Sequence, residues 1–123
     1  MFPLLRRGPG RLTPKQAHQR TRDGQAVLLD VRETPEWAAG HAPGALHLPL
    51  SRLMAGASLP PSAQGRPVVA ICRSGHRSQQ ATKLLAGRGI EATDVTDVTD
   101  GMVAWAREGL PVTGQGGGGG VIA

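Results

Sequence analysis

Two stretches of the 123-residue chain are apolar without interruption, Ala26-Val27-Leu28-Leu29 running on to Asp30-Val31 and Pro67-Val68-Val69-Ala70-Ile71, and Ala45-Leu46-His47-Leu48 between them reads as a second, short strand. A strand with one wet face alternates polar and apolar residues, whereas a strand covered on both faces does not. Between and around these runs lie segments with helical start and stop signals. Thr13-Pro14 opens a helix predicted over Pro14 to Arg22, with Thr as the cap and Pro where its missing N–H costs nothing. Thr34-Pro35 opens a short one carrying Trp37 and ending at Gly40, and a weak one is expected near Ser51–Met54. Ser78 to Ala86 forms another, closed by Gly87 and Gly89, and Met102 to Glu108 the last, ended by Gly109. A further strand is expected over Ile90–Val98. Strands alternating with helices at this spacing predict an α/β domain whose sheet is parallel or mostly so.

The length fits one domain able to bury a core. With only Phe2, Trp37 and Trp105 as aromatics, the core must be built from aliphatic residues, and the two tryptophans are expected to anchor it. The net charge of +5 is unevenly spread: residues 1–22 carry +6 and no acid, and the remainder sums to −1. Residues 1–11 therefore read as a solvated basic leader, residues 12–112 as the domain, and the glycine-rich residues 113–123 as a flexible tail. The arginines of the leader are not interleaved with stacking aromatics, so no nucleic-acid partner is expected. No apolar run approaches the ~20 residues of a membrane span, so no membrane partner is expected either. A single cysteine excludes an internal disulfide and suits a reducing, cytoplasmic setting.

That cysteine is the informative residue. Cys72 directly follows the third strand and begins the loop Cys72-Arg73-Ser74-Gly75-His76-Arg77-Ser78 that leads into a helix. Ligands of open α/β sheets bind outside the carboxyl ends of the strands. Loop amides and a helix N-terminus there favour negative charge. Gly75 permits a tight turn with inward amides, Arg73 and Arg77 add fixed positive charge, and His76 adds a titratable one. A free thiol with a pKa near 8.5 is only about 3% ionised at pH 7, so a nucleophilic cysteine needs such help. An inert core thiol would have no use for two neighbouring cations. The arrangement predicts an anionic, exposed sulfur. Ser78 on its own reads as a helix-starting cap.

The chain resembles the rhodanese-like sulfurtransferases from about Leu12 to Val112. The matching pieces are Leu29-Asp30-Val31-Arg32-Glu33, Glu36-Trp37, Gly40-His41-Ala42-Pro43-Gly44-Ala45, Leu48-Pro49-Leu50, the Cys72–Ser78 loop, and Asp100-Gly101-Met102 with Ala104-Trp105 and Gly109-Leu110-Pro111-Val112. The resemblance implies a five-stranded, mostly parallel sheet with helices on both faces. It implies that Cys72 takes the outer sulfur of thiosulfate or a related donor as a persulfide and passes it to cyanide or a thiol. Arg73 and Arg77 would then bind the anionic donor, and the amides from Ser74 through Gly75, His76 and Arg77 to Ser78 would cradle the terminal sulfur. Asp30 and Arg32 would brace the loop, and Trp37 and His41 would pack and hydrogen-bond their turn. No cofactor and no metal is implied. With no second thiol in the chain, the acceptor must be external: cyanide, a small thiol, or a thioredoxin-like or sulfur-carrier protein. One departure stands out, because Asp100 occupies the first of two places where the family often has glycine.

Two other functions compete. Phosphatases and arsenate reductases of related shape hold an oxyanion between a cysteine and an arginine that have five residues between them. Only four residues separate Cys72 from Arg77, and the smaller ring suits a single sulfur. A non-catalytic rhodanese-like scaffold is the other alternative, although such modules commonly lack the cysteine.

Overall fold

The computed structural model describes residues 10–88, 92–114, 116 and 118–123. In chain order the elements are β1 (Arg11–Leu12), α1 (Pro14–Arg22), β2 (Val27–Asp30), α2 (Thr34–Ala39), β3 (Leu46–His47), α3 (Leu50–Met54), a 3-10 turn (Pro61–Ala63), β4 (Arg66–Ile71), α4 (His76–Arg88), β5 (Ala92–Val98) and α5 (Gly101–Arg107). The five strands form one sheet in the order β1-β5-β4-β2-β3, and every pairing is parallel.

The uninterrupted apolar runs are explained by what covers them. Side chains alternate across a strand, and here each face meets its own core. Val27, Leu29, Val68, Ala70 and Val95 pack with Leu53, Leu59, Ala81 and Leu85 under α3 and α4. Leu28, Val69, Ile71 and Val98 pack with Ala17, Met102 and Trp105 under α1 and α5. Trp105 is the expected anchor, fully buried, with its indole N–H donating to the Pro111 carbonyl at 2.7 Å. Trp37 is not one. It lies half-buried between His41 and His47, nearly parallel to both, with ring centres 3.6 and 4.6 Å away.

Thr13 caps α1 through a reciprocal pair: its hydroxyl accepts from the Gln16 amide (3.2 Å) and its own amide donates to the Gln16 side chain (2.9 Å). The sheet begins one residue before the expected domain boundary, because Arg11 and Leu12 pair with Asp97 and Val98 of β5. Helix α4 begins at His76, two residues ahead of the expected start, and continues through Gly87 to Arg88. The expected strand start at Ile90 and the closing Gly89 lie outside the described residues, as does the leader up to residue 9. The described part of the glycine-rich tail packs against the C-terminal end of α2. The Val121 amide donates to the Ala39 carbonyl at 3.0 Å, and Thr113 bridges to both His41 and Gly119. No helix among the described residues is long and apolar enough to cross a membrane.

Candidate active site

The carboxyl ends of β2, β4 and β5 bring Asp30, Cys72 and Asp100 to one end of the sheet. Cys72 is the first residue after β4, and the 72–75 segment turns back over it before α4 begins. Gly75 makes this turn at φ +102, where only glycine is unstrained. Its N–H donates to the Cys72 sulfur at 3.1 Å. Of the amides expected to cradle sulfur, this is the one that reaches Sγ of the free cysteine.

The sulfur is not exposed. Cys72 is fully buried, because its side chain continues the row of Val68 and Ala70 on the α4 face and the turn covers it. Its surroundings are nevertheless polar on one side. The Cys72 S–H donates to Ser78 Oγ at 3.5 Å, and the Ser78 hydroxyl donates to Asp97 Oδ2 at 2.7 Å. Ser78 therefore does not cap a helix; it lies inside the first turn of α4, fully buried, facing the sheet. Asp97, also buried, is held by its cross-strand partner Arg11, whose Nε and Nη2 donate to the two carboxylate oxygens at 3.0 and 3.1 Å. Arg11 Nη2 also donates to the Gly75 carbonyl at 3.0 Å. The Asp97 hydrogen bonds raise the Arg11 pKa above its ordinary value, with smaller contributions from Asp100 and Cys72.

Both loop arginines already have partners. Arg77 donates through Nη1 and Nη2 to the Glu36 carboxylate at 2.6 and 2.8 Å. This fork raises the Arg77 pKa and holds Glu36 below the usual carboxylate range. Arg73 is exposed and donates from Nε to the Ala123 carbonyl at 2.9 Å. His76 is exposed at the start of α4.

Asp30 and Arg32 form a fully buried ion pair at 2.7 Å. Arg32 Nη2 also donates to the Gly40 carbonyl at 2.6 Å, while its Nη1 is buried without a partner. The pair thus braces the end of α2 rather than the Cys72 loop itself, and its link to the loop runs through Glu36 and Arg77. His41 hydrogen-bonds the Trp37 carbonyl at 2.8 Å and His47 the Arg32 carbonyl at 2.7 Å, fixing the same turn.

On the far side, α5 carries the loop. The Met102 and Val103 amides donate to the Cys72 and Arg73 carbonyls at 2.7 and 3.0 Å. Gly101 makes this approach possible, since a Cβ there would collide with both carbonyls. Asp100, in the place of the first glycine, adopts a left-handed φ of +61, a conformation aspartate tolerates better than most residues.

Arg11, Glu36 and Asp97 were not expected at the site. Asp97 carries the one available signal, a carboxylate inside a strand that must be buried. Arg11 lies in the stretch that charge alone assigns to the leader. A separate cleft of about 480 Å³ opens at the amino ends of β2 and β4 beside His18, Arg22 and Arg66, at the opposite end from Cys72.

Comparison with known proteins agrees with the fold. The uncharacterised protein slr1261 of Synechocystis is 36% identical over 100 residues, covering 81% of this chain and 54% of its own. The chain thus spans about half the length of that curated relative. The crystal structure of thiosulfate sulfurtransferase from Pseudomonas aeruginosa superposes with a TM-score of 0.73 at 23% identity, over 94% of this chain and 22% of that one. The human single-domain sulfurtransferase TSTD1 gives 0.69 at 26% identity, over 82% and 98%. The Rhodanese-like domain profile matches residues 13–108, most of the chain, and with the all-parallel sheet and the loop after β4 this makes the chain a member of the rhodanese-like family.

Proposed function

We propose that the chain is a sulfurtransferase that carries sulfane sulfur as a persulfide on Cys72. The observation that carries this reading is the position of the sulfur: at the end of a central strand, accepting the Gly75 N–H, with the Arg77 and Arg11 guanidinium groups in its field. Once the turn that covers the sulfur moves aside, the electron pair of Sγ attacks the outer sulfur of thiosulfate or a similar small anionic donor. The S–S bond of the donor breaks, and its pair leaves with sulfite. The persulfide then gives its outer sulfur to cyanide, forming thiocyanate, or to an external thiol, which can belong to a thioredoxin-like or sulfur-carrier protein. No step calls for a cofactor. The donor's anionic group would compete with Glu36 for Arg77 and add to the free capacity of Arg73.

Mass spectrometry after thiosulfate treatment tests the reading. One added sulfur on Cys72, absent from Cys72→Ser together with all turnover, is the expected result. An unmodified Cys72 would favour a scaffold. Hydrolysis of p-nitrophenyl phosphate without thiocyanate formation would favour an oxyanion enzyme.

A further inference from the structure

Full burial of Cys72 poses a question of proton traffic. A thiol at the surface ionises into water, but this one has no exposed surface. Two polar groups touch its sulfur among the described residues. The Gly75 N–H is a donor and cannot take a proton. Ser78 Oγ is an acceptor, because its own proton is committed to Asp97 Oδ2 in a short bond. Asp97 in turn accepts two N–H groups of Arg11, whose side chain is 37% exposed. The four residues make one continuous hydrogen-bonded line from the sealed sulfur to the surface.

We infer that this line is the proton route of Cys72, with Ser78 as relay and Asp97 as the terminal base. Its bearing on turnover rests on Cys72 being the nucleophile proposed above. As the sulfur forms its new bond, the thiol proton moves to Ser78 Oγ while the Ser78 proton moves to Asp97 Oδ2. With thiosulfate, a thiol, a carboxylate and the dianion become an ionised persulfide, a carboxylic acid and sulfite, so charge and protons balance. When the acceptor removes the outer sulfur, the proton returns from Asp97 through Ser78 to the Cys72 thiolate. Ser78 touches the reacting atom and is a catalytic residue in this scheme, whereas Asp97 acts through it. Arg11 keeps the carboxylate in place. The other charged groups around the line are Asp100 before α5, the Arg77–Glu36 pair, and exposed Arg73 and His76. None of them hydrogen-bonds the sulfur in the described structure.

Alkylation of Cys72 by iodoacetamide tests the route without any sulfur donor, so its result stands apart from that of the persulfide experiment. The full chain is compared with Asp97→Asn, which keeps an oxygen for the Ser78 hydroxyl but has no basicity, and with Ser78→Ala, a small change should the first variant fold poorly. At about pH 6.5 both variants should react about tenfold more slowly or worse. The deficit should close by about pH 9, where hydroxide replaces the internal base. Superimposable pH profiles would overturn the inference. So would a deficit of constant size at every pH, which marks a structural role, or a shift of the Asp97→Asn profile to lower pH, which marks simple repulsion of the thiolate. A change in only one of the two variants would also defeat it.

Discussion

Arg77 and Glu36 meet end to end, two N–H groups on two carboxylate oxygens at 2.6 and 2.8 Å, so the guanidinium expected to receive a donor anion already holds an internal one. In Glu36→Gln the amide can still accept the Glu33 backbone N–H that Glu36 now receives at 3.0 Å, but the competing charge is gone. Under the proposed reading, the KM for thiosulfate should fall several-fold with kcat changed much less. Steady-state kinetics over a thiosulfate series checks this, and an unchanged or raised KM would show that Glu36 orients Arg77 rather than competing for it.

The same pair sets an acid limit on stability. Glu36 has a folded pKa below its ordinary 4.5 because Arg77 binds the ionised form. Its contribution is therefore complete above about pH 4.5 and is lost as pH falls through the lowered folded value. The pair is partly exposed, so this is worth about 0.5–1 kcal/mol. Urea unfolding of the parent and Glu36→Gln should show that difference at pH 7 and none in strong acid.

Removal of Arg32 should be far more damaging. Arg32→Met leaves the fully buried Asp30 carboxylate without its cation. The expected loss is about 3–5 kcal/mol, measured by denaturant unfolding. Replacing both residues, as Asp30→Leu with Arg32→Met, should recover part of it. If the single variant unfolds like the parent, water must reach the pair.

Gly101→Ala should disable the loop as well as weaken the fold. The new methyl group would strike the Cys72 and Arg73 carbonyls, the latter at 2.7 Å, at a residue whose φ of +56 already disfavours a side chain. A stability loss of at least about 2 kcal/mol is expected, together with faster alkylation of Cys72 as the covering turn is displaced. Gly65→Ala, at φ +75 but with open space around it, is the control for backbone strain alone.

How far the sequence speaks depends on the range of the interaction. Helix α1 is legible to the residue because Thr13, Pro14 and Gln16 settle it locally. Strands β2 and β4 are legible because burial on both faces leaves Val27–Leu29 and Pro67–Ile71 without a polar side chain. The position of Cys72 follows from β4 alone. Its burial does not, since that depends on how residues 73–75 fold back and on Ser78 arriving from α4. Strand β1 is two residues long and has no period to detect; it exists because Arg11 and Leu12 find Asp97 and Val98 some 86 residues away. The tail misleads in an instructive way. Glycine permits disorder, but it also permits close backbone approach, and a Cβ on Gly40 would collide with the Val121 backbone.

The clamp between α5 and the Cys72 loop has a geometric corollary. In a trans peptide the carbonyl and the following N–H point in opposite directions. Once Met102 and Val103 capture the carbonyls of Cys72 and Arg73, the N–H groups of Arg73 and Ser74 must face away from α5. Helix α5, which makes no hydrogen bond to the sulfur itself, thereby dictates which pole of each of these two peptide dipoles the loop turns outward.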